Sequence, residues 1–200
     1  MSQPTDPDRA YLRAIDERTR SLLAEATPDP SPFDGAPAAL ADDVERGVEG
    51  VAERLRAVVQ PLHAHPETAF REHAGATLLH QELTRHGLDA RLGVHGVETS
   101  VRAEIGSANR GPTIAVLAEY DALPDIGHAC GHNVIAAAGL GAFLALASVA
   151  DRLPGRVVFL GTPAEEGHSG KEVMARHGAF DDVDAAIMVH PYGYDLADQV

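Results

Sequence analysis

Residues 113–133 have the sequence TIAVLAEYDALPDIGHACGHN, in which an apolar run leads directly into a dense group of polar side chains. The apolar part predicts a buried β-strand over Thr113–Tyr120. The polar part holds Glu119, Asp121, two histidines and Cys130, which is the only cysteine in the sequence. This mixture of nitrogen, oxygen and sulfur donors suits a borderline-soft cation such as zinc. The stretch therefore predicts a strand that ends at a metal site.

Two later segments repeat this arrangement of a strand followed by polar donors. The predicted strand Arg156–Gly161 is followed by Glu165 and Glu166, and the predicted strand Ala185–Val189 is followed by His190. In an open α/β sheet, ligands bind beyond the carboxyl ends of the parallel strands. Because three strands end in side chains that bind metals, we expect a metal-dependent hydrolytic site at this edge of the sheet.

The order of the predicted elements indicates the fold class. Helices are predicted over 8–26, from near 42, and over 71–86, 131–151 and 169–178, and a further strand over Ser100–Ile105. Alternation of strands and helices favours parallel strands with crossover helices, so we predict an α/β fold with a mostly parallel sheet flanked by helices. Residues 1–45 are predicted to form an N-terminal helix and a proline-rich linker (27–41), and residues 46–200 the α/β domain.

The composition disfavours several classes of function. The sequence has 200 residues and a net charge of −14, which disfavours nucleic acid and anionic membrane surfaces as partners. Its most apolar run, Val134–Ala150, is shorter than a membrane span, and the first residues do not resemble a signal peptide. A single cysteine cannot form an internal disulfide, which favours a reducing compartment. We therefore expect a cytoplasmic protein.

Each candidate side chain also has a simpler explanation. A lone cysteine is commonly an inert core residue, but Cys130 lies at the start of a predicted helix, whose positive end favours a thiolate. Glu165 and Glu166 would stabilise a helix N-terminus without any chemistry. His190 is also compatible with a surface histidine at a strand end. The competing chemistry is a nucleophilic cysteine paired with a histidine, although His132 is too close in sequence to face Cys130 easily.

Taken in order, the motifs resemble those of the zinc aminoacylase/carboxypeptidase family of metallopeptidases. The segments that carry the resemblance are Ala118–Pro124, Gly127–Asn133, Gly161–Glu166 and His190–Pro191. The resemblance is to the amidohydrolase branch, and within it to the aminoacylase-like dipeptidases and aminobenzoyl-glutamate hydrolases. Upstream, Leu62–Glu67 with Glu72 is similar to the first helix of the family's catalytic domain. The resemblance implies that residues 46–200 are the first part of a phosphorylase/hydrolase-like zinc-peptidase catalytic domain.

The resemblance also implies a role for each candidate residue. The positions that correspond to metal ligands are Cys130, His132, Glu166 and His190. Glu165 corresponds to the general base, and Asp121 to the carboxylate that orients the site from behind. The implied reaction is attack of a metal-bound water, deprotonated by Glu165, on the amide carbonyl of a dipeptide or an N-acyl or N-aroyl amino acid. The implied cofactors are two divalent ions per complete subunit, zinc or alternatively manganese or cobalt, and the full-length form is expected to be a homodimer.

Length is the main departure from the family pattern. Members of the family continue past the His-Pro motif into a dimerisation insert and then complete the catalytic domain, which supplies one more histidine ligand. Since the sequence ends at Val200, we expect it to be the N-terminal part of such a protein, with its own activity left open. Two alternatives remain: an inactive remnant with a binding role or none, and an amidase in which Cys130 is the nucleophile.

Overall fold

The structure is a computed structural model that describes residues 10–25 and 34–192. The chain divides into two compact units. The first described helix, α1 (Ala10–Glu25), belongs to one unit and confirms the helix predicted there. Ala36–Pro191 form the other unit, which contains the sheet. The predicted linker lies partly outside the described residues, and the division at residue 45 stays a prediction.

Helix α2 covers Ala38–Ala64 and so begins earlier than the predicted start near Asp42. The segment 38–41, predicted to be linker, is therefore its first turn. The carbonyl of Pro37 accepts hydrogen bonds from the backbone N–H groups of Leu40 (2.8 Å) and Ala41 (3.1 Å). Alanine and leucine are strong helix formers, and proline is tolerated at a helix start because its missing N–H has no role there.

Five strands form one mixed sheet. They are β1 (Ala90–Leu92), β2 (Val101–Gly106), β3 (Thr113–Ala118), β4 (Arg156–Gly161) and β5 (Ala185–Ile187), in the order β1-β2-β4-β3-β5. Strand β3 pairs in parallel with both β4 and β5, as the strand–helix alternation predicts. Strands β1 and β2 are antiparallel to each other, and β2 is antiparallel to β4. The parallel half of the sheet is the half whose strands lead into the predicted site residues.

Helices cover both faces of the sheet. The remaining described helices are α3 (His73–Arg85), α4 (His132–Ala147), α5 (Glu165–His168) and α6 (Gly170–Arg176). On one face, side chains of α2, α3 and α4 pack with alternate strand residues such as Phe159, and on the other face Met174 of α6 packs with Val158 and Leu160. This alternation along β4 follows from the two-residue period of a strand. None of the described helices combines the length and apolar character that a membrane span requires.

Helix α4 lies between α2 and the sheet, so it is apolar on nearly all sides. Its approach to β3 is close: a Cβ atom at Gly139 would lie 2.7 Å from the carbonyl oxygen of Leu117. A glycine is therefore required where the helix backbone meets the strand. This packing fixes the N-terminus of α4, which carries His132, against the end of β3.

Candidate metal centre

The three polar segments meet at the carboxyl edge of the parallel strands. Ala118 at the end of β3 pairs with Gly161 at the end of β4, and the backbone N–H of Thr162 donates to the carbonyl of Ala118 (2.8 Å). The two chains therefore leave the sheet at the same level. Asp121 follows β3, and His190 follows β5 on the other side of β3.

Three of the predicted ligands form one cluster. The donor atoms of Cys130, His132 and His190 all lie within 4.8 Å of one another. The Sγ atom of Cys130 is 3.5 Å from Nε2 of His190, and the two imidazole rings are edge-to-face with centroids 6.0 Å apart. Because zinc binds thiolate and imidazole at about 2.0–2.3 Å, donors this close fit a metal centre.

Asp121 lies behind this cluster and fixes His132. Its Oδ1 atom is 2.9 Å from Nδ1 of His132, and both side chains are buried. A carboxylate only accepts, so Nδ1 carries the proton and Nε2 faces the site. The other oxygen of Asp121 accepts the backbone N–H of Glu166 (2.9 Å). Asp121 therefore couples the two segments, which is the geometry that its predicted orienting role requires.

Burial and hydrogen bonding shift the pKa values of Asp121 and His132 in opposite directions. Burial disfavours both charges, but the hydrogen bonds from His132 and the N–H of Glu166 hold the pKa of Asp121 below its usual value. Burial likewise disfavours the charged imidazole, yet Asp121 and the nearby carboxylates of Glu119 and Glu166 raise the pKa of His132. The site thus favours positive charge at the position of His132.

Glu166 joins the cluster through His132. Its Oε1 atom is 3.6 Å from Nε2 of His132, and Oε2 of Glu119 is 3.3 Å from the same nitrogen. Both oxygens are shielded from solvent and have no hydrogen-bond partner within the part of the chain that is described. Shielded carboxylate oxygens without a donor are costly unless a cation satisfies them. This observation and the donor set both fit a divalent metal ion.

Glu165 has a different environment from the other predicted site residues. Its side chain is 43% exposed and forms an ion pair with Lys171, which also pairs with the buried carboxylate of Glu119. Burial disfavours the ammonium, but these two carboxylates raise the pKa of Lys171. The sequence prediction counted Glu119 among the polar donors that follow the strand but gave it no role, and it did not include Lys171. A signal was present, because Lys171 is the only lysine in the sequence.

The turn that carries Glu165 is held by a buried carboxylate. Ala164 has a left-handed backbone (φ 62°) and is fully buried. Glu72, also fully buried, accepts the backbone N–H of Ala164 (2.9 Å) and the hydroxyl of Thr99 (2.9 Å). Burial raises the pKa of Glu72 in spite of these donors. A strained non-glycine residue that its surroundings hold in place is typical of a functional site.

The environment of Cys130 differs from the prediction. Burial and the carboxylate of Glu166 raise the pKa of Cys130 to about 11. The expectation that the helix N-terminus favours a thiolate is therefore wrong for the protein without a bound cation. Desolvation and the negative neighbours of Cys130 outweigh the effect of the helix dipole. A cation would reverse this balance, because a coordinating thiol is deprotonated.

The fold and this donor set define a metallopeptidase-type α/β domain. Residues 115–199 match the family model described as Peptidase family M20/M25/M40. The chain belongs to this family.

Named relatives agree with this assignment. The chain is 41% identical over 160 residues to the Xaa-Arg dipeptidase of Mus musculus, covering 72% of this chain and 36% of that protein. It is 33% identical over 170 residues to a p-aminobenzoyl-glutamate hydrolase polypeptide of Escherichia coli, covering 76% and 35%, respectively. The chain thus spans about a third of the length of these curated relatives. Among solved structures, the Bacillus subtilis YXEP protein, a dinuclear metal binding peptidase from the M20 family, matches with a TM-score of 0.63 and 29% identity over 69% of this chain and 42% of that one.

Proposed function

We propose that this chain supplies the metal-binding part of a metal-dependent hydrolase that cleaves the amide bond of a dipeptide or of an N-acyl or N-aroyl amino acid. The observation that carries the proposal is the arrangement around His132. Its Nδ1 proton is held by Asp121, while its Nε2 faces two shielded carboxylate oxygens that have no donor among the described residues. The names of the relatives, a dipeptidase and an aminobenzoyl-glutamate hydrolase, support the substrate class.

Four side chains would hold the metal. They are Cys130, His132, Glu166 and His190. Thiolate and imidazole favour zinc, and the carboxylate leaves manganese or cobalt as alternatives, with two ions in the complete protein. A bound divalent cation supplies a Lewis acid that polarises the substrate carbonyl.

The other residues of the site orient groups and move a proton. Asp121 keeps His132 in the tautomer that presents Nε2, and its bond to the N–H of Glu166 fixes the adjacent turn. Glu165 is exposed enough to meet a substrate. It accepts the proton of the water that attacks the amide carbonyl, and returns that proton to the leaving amine. Lys171 holds this carboxylate in place.

A cleft beside Glu166 suits a small substrate. It has a volume of 270 Å³, and the residues that line it with Glu166 are Thr68, Ala69, Arg71, Ala122, Pro124 and Gly167. The walls are largely apolar, with one guanidinium group. Such a cleft accommodates a small acyl or amino-acid side chain next to the metal centre.

A cysteine nucleophile is the second candidate. The 3.5 Å distance between Cys130 Sγ and His190 Nε2 favours it, since a base at this distance can activate a thiol. The pKa of about 11 for Cys130 disfavours it, because only about one such thiol in 10⁴ is ionised at pH 7. We therefore place Cys130 in the metal centre.

To test the proposal, the protein is expressed from its complete open reading frame. Its hydrolysis of dipeptides, N-acetyl amino acids and p-aminobenzoyl-glutamate is then measured with added zinc, manganese or cobalt. Glu165→Gln keeps the size of the side chain but removes the base, so we expect kcat to fall by about 10²–10⁴-fold with metal content unchanged. Glu172→Gln is the matched control, because Glu172 is exposed and pairs with Arg176 on α6. Full activity of Glu165→Gln, or activity that survives chelators but not thiol alkylation, would contradict the proposal.

A further inference from the structure

Glu119 has a buried carboxylate whose two oxygens have different surroundings. It follows β3 directly, and its side chain is 1% exposed. One oxygen pairs with the ammonium of Lys171. The other, Oε2, has no hydrogen-bond partner among the described residues and lies 3.3 Å from Nε2 of His132. A buried carboxylate that is held at one oxygen and unsatisfied at the other points to a ligand for the second oxygen.

Nε2 of His132, which faces Oε2 of Glu119, cannot donate a hydrogen bond when the imidazole is neutral. The proton of His132 is on Nδ1, where Asp121 accepts it, so Nε2 presents a lone pair. Oε1 of Glu166 is 3.6 Å from the same Nε2. With the imidazole in the neutral form that a metal binds, three lone-pair atoms therefore face one another in a space shielded from solvent. Their mutual repulsion is relieved when a cation lies among them.

The separations match those between ligands of one ion. Two donors at about 2.0–2.2 Å from a metal, with an angle of about 90–109° between the bonds, are about 2.8–3.6 Å apart. The observed 3.3 Å for Glu119 and 3.6 Å for Glu166, each measured to Nε2 of His132, are close to this range. We propose that Glu119 is a further ligand of the metal centre and that Lys171 orients it. The inference rests on the metal centre of the proposed function.

Lys171 gives this ligand a defined direction. Because its ammonium occupies Oε1 of Glu119, only Oε2 is left for the metal, which makes the carboxylate monodentate. The same ammonium pairs with Glu165. One cation thus fixes the metal-facing carboxylate relative to the residue that we propose as the base. Partners of this kind around a ligand commonly change metal affinity by about 10–100-fold when they are lost.

The experiment measures the zinc affinity of the purified protein by competition with a chromogenic chelator. Glu119→Gln keeps the shape of the side chain but replaces one oxygen, and we expect its Kd for zinc to rise at least about tenfold, as for Glu166→Gln. Glu82→Gln is the matched control, because Glu82 is equally buried but pairs with Arg54 on α2. Its Kd should match that of the wild type. A Glu119→Gln variant that binds zinc as tightly as the wild type, while Glu166→Gln binds weakly, would overturn the inference.

A second measurement needs no variant. In a crystal structure of the zinc-loaded wild-type protein, Oε2 of Glu119 should lie about 2.2 Å from an ion. A distance beyond about 3 Å to every ion would overturn the inference even if Glu119→Gln failed to fold. Neither readout uses a substrate. A protein that binds zinc through Glu119 but hydrolyses no amide therefore upholds this inference while the proposed function fails, and a wild type that binds no zinc overturns both.

Discussion

The carboxylate of Glu72, at the start of α3, accepts the backbone N–H of Ala164, which lies 92 residues later in the turn before Glu165. The same side chain accepts the N–H of Phe70 (2.9 Å) and the hydroxyl of Thr99 (2.9 Å). A single buried group therefore connects α3 to the turn after β4. The position of the proposed base depends on a residue outside the metal cluster.

Replacing Glu72 should destabilise the protein strongly. Glu72→Ala leaves three donors without an acceptor, two of them backbone groups, so we expect the free energy of unfolding to fall by about 2–4 kcal/mol. Thr99→Val removes only one of these donors, together with its bond, and should cost about 1 kcal/mol. Urea unfolding of both variants checks this order. Equal losses for the two variants would show that Glu72 does not hold the turn.

Gly131 should be essential for the position of His190. It has a left-handed backbone (φ 88°), and a Cβ atom there would lie 2.6 Å from Cγ of Pro191. Gly131→Ala should therefore displace Pro191 with His190 and raise the Kd for zinc by about tenfold or more. Gly87→Ala is the control, since Gly87 has a similar φ of 76° with nothing within 4 Å of the added atom. It should lose about 1 kcal/mol of stability and keep its zinc affinity. Equal zinc affinities for the two variants would contradict this account.

Three charged residues of the sheet, together with Asp182 in the turn before β5, should control acid stability. Arg102 contacts Glu104 (2.8 Å) and Asp182 (3.2 Å), and Arg156 contacts the same two carboxylates (3.1 and 2.6 Å). Burial works against the charged carboxylates, but the arginines hold the pKa values of Glu104 and Asp182 below the usual values of such side chains. The pKa values of both carboxyl groups are therefore lower in the folded than in the unfolded protein. The stabilisation is therefore fully present above about pH 4.5 and is lost as the pH falls through the folded values.

Unfolding free energies measured between pH 6 and pH 2 check this direction. Glu104→Gln should reduce the loss of stability in acid, because it removes one of the groups that must be protonated. If Glu104→Gln lost as much unfolding free energy in acid as the wild type, this cluster would not control the acid stability.

Zinc binding should release the proton of Cys130. The pKa of this thiol is about 11, so it is protonated at neutral pH, whereas the bound form is a thiolate. The logarithm of the zinc association constant should therefore rise with pH, and Cys130 should contribute about one unit per pH unit. Cys130→Ser should lower the slope by about that amount between pH 7 and pH 9. An unchanged slope in Cys130→Ser would place Cys130 outside the metal centre.

Local patterns were sufficient to predict much of the fold. Strand β4 has its predicted bounds, Arg156–Gly161, because a continuous apolar run ends at a glycine. Strand β1 was not predicted, since three residues are too few to show a period. Helix α5 has four residues and was missed for the same reason. The antiparallel direction of β2 depends on its pairing with β4, which is a long-range contact that no local pattern carries.

The site shows the same limit. Cys130, His132 and Asp121 were predictable because they lie within one motif after β3. The roles of Glu165 and the four metal ligands stay predictions, although the structure brings the ligands together. Lys171 lies on α6, six residues beyond Glu165, and its pairing with Glu119 spans 52 residues. Such a pair forms only when two strand ends come together, so periodicity and spacing do not reveal it.

The most direct test of the metal centre is the absorption spectrum of the protein during titration with Co²⁺. Cobalt takes the same ligands as zinc, and a thiolate ligand produces a sulfur-to-cobalt charge-transfer band. We expect this band to rise to a stoichiometric end point in the wild type, to disappear in Cys130→Ser, and to weaken in His132→Ala and His190→Ala. A wild-type protein that binds Co²⁺ without this band, or a band that persists unchanged in His132→Ala and His190→Ala, would contradict the assignment of these residues to one metal centre.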